Sequence, residues 1–167
     1  MLIINLIGPP CGGKTQFASK YVLEHPEFRF CSIDAYRVEH KDEEKAWESF
    51  IADVIKSKNV IIESCGLDWK LGKVFLNPGI IDKKVLTIAF VGEFNDIYER
   101  LAERQHKRPI NYEYNLSDEF AAISYVLEHL GESISPIDFC INTSIKSIDE
   151  QYKILSEVIA LARINNL

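Results

Sequence analysis

The 167-residue chain carries 19 Lys and Arg against 25 Asp and Glu, for a net charge of −6. That balance gives no support to a broadly basic nucleic-acid footprint, and 47% hydrophobic with 26% charged residues exclude a disordered chain. A domain of this length buries roughly 70% of its unfolded surface without disulfide or metal staples, so 1–167 reads as a single domain.

Leu2–Ile7 is a short apolar run that reads as a strand ending at Gly8. The run is too short for a signal peptide and no basic stretch precedes it. Nowhere does the chain approach the ~20 apolar residues of a membrane span. The expectation is a cytoplasmic protein with no membrane partner. Cys11, Cys31, Cys65 and Cys140 are scattered without a CxxC pair, and read as reduced, small hydrophobes.

Next comes Gly8-Pro9-Pro10-Cys11-Gly12-Gly13-Lys14-Thr15, which fits G-x-x-x-x-G-K-[ST]. The pattern suits a loop whose backbone N–H groups turn inward around phosphates, with glycine where a side chain would block or φ is positive. Lys14 then places a point charge on the outer phosphates, and the Thr15 hydroxyl is placed to ligate Mg²⁺. Gln16–Glu24 reads as the helix whose N-terminal dipole completes the anion site. The match gains weight from its context, after a strand and before a helix.

Arg29–Ile33 is the second strand candidate and leads into Asp34-Ala35-Tyr36-Arg37. Ligands of parallel sheets lie at the carboxyl ends of the strands, which places Asp34 toward the phosphate loop. There it can accept a proton from an attacking hydroxyl, hold Mg²⁺ through water, or cap a helix. Arg37 can grip an acceptor phosphate or carboxylate bidentately, or form a surface ion pair. From Asp42 to Ser57 the apolar residues recur at helical steps, and Asn59–Glu63 is the third strand candidate. Glu63, directly after its apolar run, is placed for a contact to Mg²⁺ or the acceptor. Tyr36–Trp47 and Gly66–Pro78 are the stretches expected to shape the acceptor pocket, where Tyr36, Trp69 and Phe75 can stack on a base or simply pack.

Val85–Val91 reads as the fourth strand, followed by a helix over Asn95–Glu103. Arg100, Arg104 and Arg108 then recur at four-residue spacing, within about an 80° sector of a continued helix. Gln105–Asn115 lacks apolar periodicity and contains Pro109. A basic row entering such a stretch suits a lid at about 104–116 that closes over a triphosphate, Arg104 and Arg108 being better placed than Arg100. The remaining elements are a helix over Ser117–Leu130, a fifth strand over Ile137–Ile141, and a helix opened by the capping box Ser147 and Glu150. Asn142-Thr143-Ser144 can contact a base or serve as an ordinary helix entry.

Strands alternating with helices imply an α/β fold: a three-layer α/β/α sandwich around a mostly parallel five-stranded sheet. From Leu2 to about Ser144, the motifs resemble the small P-loop kinases of the nucleoside, nucleotide and metabolite kinase group. The D-x-x-R of Asp34 and Arg37 is similar to that of polynucleotide kinases and zeta-toxin-like enzymes, where the aspartate is a base and the arginine contacts the acceptor side. Arg104-Gln105-His106-Lys107-Arg108-Pro109 is similar to the lid of shikimate-kinase-like proteins. The glycine run those enzymes carry after the third strand is replaced here by Glu63-Ser64-Cys65-Gly66.

The resemblance implies ATP and Mg²⁺ as cofactors, with Gly8 to Thr15 and Arg104 on ATP and Thr15 on the metal. It implies Lys14, Asp34, Arg104 and Arg108 as catalytic residues, and Asp34, Arg37 and Glu63 toward the acceptor. The expected activity is transfer of the γ-phosphoryl group to a nucleoside, nucleotide or other small metabolite. A nucleic-acid 5′-hydroxyl is the second choice, since Asp34 and Arg37 favour it and the net charge opposes it. A non-catalytic nucleotide-binding module is the third. A GTPase is disfavoured by the lack of D-x-x-G after the third strand and of N-K-x-D.

Overall fold

The structure is a computed structural model and describes residues 1–106 and 116–164. Five strands, β1 (Leu2–Ile7), β2 (Arg29–Ser32), β3 (Val60–Glu63), β4 (Lys84–Val91) and β5 (Phe139–Asn142), form one sheet in the order β2-β3-β1-β4-β5. Every pairing is parallel. The helices are α1 (Lys14–Glu24), α2 (Ile33–His40), α3 (Glu43–Lys56), α4 (Lys70–Phe75), α5 (Phe94–His106), α6 (Leu116–His129) and α7 (Ile148–Ile164).

Period-two alternation along β1 splits the core into layers. Leu2, Ile4 and Leu6 point to one face, against Phe17 and Tyr21 of α1 and Leu155 and Ile159 of α7. Ile3 joins the other face with Trp47, Phe50 and Val54 of α3 and Leu71 and Val74 of α4, while Ile7 packs near Val126 of α6. A central strand covered on both faces reads as an unbroken apolar run, as Leu2–Ile7 does. The exception is Asn5, fully buried, whose amide donates to Thr87 Oγ1 at 3.3 Å.

Two helices are absent from the sequence reading. Residues 33–40 form α2 immediately after β2, with Ile33 its buried residue, so no apolar stripe announces it. Six-residue α4 is too short to show a period. Strong signals are realised: α3 buries Ala46, Trp47, Phe50 and Val54, and Asp42 Oδ1 caps it by accepting from Lys45 N at 2.9 Å. At the start of α7, Glu150 Oε2 accepts from Ser147 N at 2.9 Å while Ser147 Oγ accepts from Glu150 N at 3.3 Å.

Sheet order fixes where a site can form. The chain steps from β1 to the β2 side and later crosses back to β4, so the crevice beyond the carboxyl end of β1 lies between diverging connections. Register brings Glu63 level with Leu6 of β1 and Ser32 of β2. The loop after β1, the start of α2 and the end of β3 therefore meet at one edge.

Candidate active site

At that edge opens a cleft of about 980 Å³. Its floor is Gly8–Thr15. Gly8 adopts φ 135°, and a Cβ there would lie 2.3 Å from the Phe90 carbonyl oxygen, so only glycine fits. Cys11 also has positive φ, at 59°, an uncommon conformation for a residue with a Cβ and one kept where the surroundings enforce it. Gly13 sits at the N-terminus of α1, whose first turn contains no acidic residue, so the helix end presents its N–H groups to an anion unopposed.

Lys14 is 7% exposed, and its ammonium donates to the carbonyls of Gly8 at 2.9 Å and Pro9 at 2.8 Å. Burial lowers its pKa, opposed first by the nearby carboxylate of Glu63 and then by that of Asp34. The lysine is thus a buried cation held by its own loop, with two carboxylates facing it.

Thr15 Oγ1 donates to Glu63 Oε1 at 2.8 Å, and Glu63 Oε2 is buried without a hydrogen-bond partner. An orphaned carboxylate oxygen beside the loop threonine fits a hydrated Mg²⁺, which keeps several waters and takes few protein ligands. Among the described residues no group of three His, Cys, Asp or Glu side chains could hold a metal unaided.

The wall opposite the loop comes from α2. Asp34, one residue inside the helix, is 77% exposed in its side chain and does not cap the helix, since Ser32 occupies that position. Its Oδ1 accepts from Arg37 Nη1 at 3.1 Å. Arg37 also donates to Glu43 through Nε at 3.0 Å and Nη2 at 2.8 Å, and to Asp68 Oδ2 at 3.2 Å. Those bonds raise the Arg37 pKa and hold Glu43 down at about 2, Arg37 being the largest cause there.

Asp68 and Glu43 were not singled out in the sequence; both fall near or within the stretches expected to shape the acceptor pocket. Asp68 opens α4 through an Asx turn, its Oδ1 accepting from Lys70 N at 3.0 Å, and a D-x-K start is a weak signal. Of the aromatic candidates, Tyr36 turns away to donate to Asp53 at 2.7 Å and packs edge-on against Phe50, and Phe75 packs on the core. Trp69 stands 64% exposed with Lys73 over its ring.

On the other side of the loop stands α5, anchored by buried Ile97 and Leu101. Arg100 and Arg104 both line the cleft. Arg104 Nη1 lies 3.9 Å from Cys11 Sγ, directly over the loop. Arg100 donates to Thr143 Oγ1 at 2.9 Å and to its carbonyl at 2.6 Å, tying α5 to the end of β5. Arg108 and most of the expected lid lie outside the described residues. Asp118 and Glu119 of α6 line the same cleft.

No family model and no curated protein matches the chain. Solved structures do. The YorR protein of Bacillus subtilis, in complex with phosphorylated GDP, superposes with a TM-score of 0.68 at 18% identity over 100% of both chains. Shikimate kinase from Bacteroides thetaiotaomicron gives 0.64 at 15% identity, over 95% of this chain and 98% of that one. A gluconokinase from Sinorhizobium meliloti gives 0.63 at 13% identity, over 96% and 93%. The chain has the fold of the small P-loop kinases, a parallel α/β/α sandwich with its phosphate loop after the central strand.

Proposed function

We propose that the protein is an ATP-dependent kinase that transfers the γ-phosphoryl group to a hydroxyl of a nucleoside, nucleotide or other small metabolite. The observation that carries this reading is the pairing of buried Lys14 with Asp34 and Glu63 across one cleft. A module built only to hold a nucleotide has no use for an exposed carboxylate beside the phosphates, held in place by an arginine.

In this reading Gly8–Thr15 and the α1 N-terminus bind the triphosphate, and its outer phosphates draw the Lys14 ammonium off the loop carbonyls. Thr15 Oγ1 and Glu63 would hold Mg²⁺, directly or through water, and the ion would supply neutralisation of phosphate charge. The acceptor oxygen forms a bond to the γ-phosphorus as the bond to the β–γ bridging oxygen breaks. The hydroxyl proton passes to Asp34, and ADP leaves. Arg37 fixes Asp34 through Oδ1 and leaves the second carboxylate oxygen for that proton. Arg104, over the loop, stabilises charge on the group in flight, and Arg108 is proposed for the same role from the lid.

The neighbours named as kinases of shikimate and gluconate support phosphoryl transfer to a small hydroxyl compound. The D-x-x-R of Asp34 and Arg37 keeps a nucleic-acid 5′-hydroxyl as the second reading. The test is labelled phosphate transfer from ATP to a panel of nucleosides, nucleotides, small alcohols and 5′-hydroxyl oligonucleotides. Transfer to a small acceptor is expected; ATP binding without turnover on any acceptor would reassign the protein as a nucleotide-binding module.

A further inference from the structure

We infer that the acceptor-side wall selects against anionic acceptors, so that the hydroxyl compound phosphorylated here is uncharged or carries an amine, with no phosphate or carboxylate of its own. The inference rests on the kinase reading above and narrows its substrate class. It starts from Arg37, the residue whose spacing from Asp34 suggests a grip on an acceptor anion.

A guanidinium has five N–H donors, and four of those of Arg37 are engaged: two by Glu43, one by Asp34 and one by Asp68. The Glu43 contact is bidentate, the geometry an incoming phosphate or carboxylate would itself need. Glu43 is in turn fixed by Trp47 Nε1 at 2.9 Å. An acceptor anion must therefore displace a carboxylate that is already well held. The neighbouring cation, Lys70, is likewise occupied, with its ammonium 2.8 Å from Glu44 and 3.9 Å from Glu43.

Arg37 is thus ringed by three carboxylates, Asp34, Glu43 and Asp68, of which Asp34 and Asp68 line the cleft with it. Besides Arg37, the cations among the described residues lining the cleft are Lys14, Arg100 and Arg104. Lys14 belongs to the phosphate loop, Arg104 reaches from α5 to its Cys11, and Arg100 is bound to Thr143. Their charge goes to the donor. Asp68 faces the cleft and suits an ammonium or a hydroxyl donor. Like charges brought together in a cleft cost affinity and reject the wrong partner even where shape permits it.

The experiment measures kcat/KM on matched pairs: a nucleoside with its 5′-monophosphate, and a sugar with its aldonic acid and its 2-amino derivative. In each set the uncharged or amino member should exceed the anionic one by about tenfold or more. Asp68→Asn and Glu43→Gln each free an Arg37 N–H and remove a negative charge, so both should narrow that gap. Equal rates within a set, or a preference for the anionic member that Arg37→Gln abolishes, would overturn the inference and leave the kinase reading intact. A gap unchanged in both charge variants would overturn its assignment to this cluster. If no acceptor is phosphorylated, the kinase reading fails. Dissociation constants of the same sets on ADP-loaded protein then decide the charge question, tighter binding of the anionic members contradicting it.

Discussion

Lys14 and Asp34 are paired in opposite states of solvation. The lysine is nearly sealed and the aspartate is mostly open to the cleft, so they respond differently to substitution. Lys14→Ala should lower phosphoryl transfer by about 10³-fold or more while leaving thermal unfolding cooperative, because on the proposed reading the charge it removes is one the transition state uses. Asp34→Asn should lose about 10²–10⁴ in kcat with nearly unchanged ATP affinity, as a general base would. A fall in Mg²⁺ affinity alone would instead make Asp34 an outer ligand of the metal. Glu43 behaves differently again. Its folded pKa of about 2 lies below the ordinary value near 4.5, so its ionised form contributes stability that is complete above about pH 4.5. That contribution is lost as pH falls toward 2. Denaturation midpoints of wild type and Glu43→Gln should therefore differ most at neutral pH and converge in acid.

Elements differ in how far the sequence announces them. Strand β1, helix α3 and the capping box of α7 are legible because each has a strong local cause: an apolar run, a three- and four-residue stripe, a reciprocal cap. Helices α2 and α4 are not, because one buries a single residue and the other has six. That matters for function, since α2 carries Asp34 and Arg37 and the chain entering α4 carries Asp68. The floor of the site was readable because it is contiguous in sequence, and Asp34 because it follows a strand. The carboxylates around Arg37 come from separate segments, and only the packing of α2 against α3 and the turn before α4 brings them together. The loop itself tolerates little change. Gly8→Ala should destabilise by about 1–3 kcal/mol or prevent folding, since its Cβ meets the Phe90 carbonyl and its φ is positive. Ser147→Ala, which breaks the reciprocal cap of α7, should cost about 1 kcal/mol in denaturant titration.

At the scale of the whole molecule, the strand order creates a single crevice where β1 hands the chain to both sides of the sheet. The walls of the cleft rise from those two sides, one with Lys14, Arg100 and Arg104, the other with Asp34, Asp68 and an arginine already bound by carboxylates; on the proposed reading the first takes the donor and the second the acceptor. The central claim is tested most directly by following the γ-phosphate of labelled ATP with wild type, Lys14→Ala and Asp34→Asn over the small-acceptor panel. The expected result is labelled product with wild type, essentially none with Lys14→Ala, and a reduced kcat at normal ATP affinity with Asp34→Asn. ATP bound tightly by wild type with no label transferred to any acceptor, or full transfer by Lys14→Ala, would contradict it.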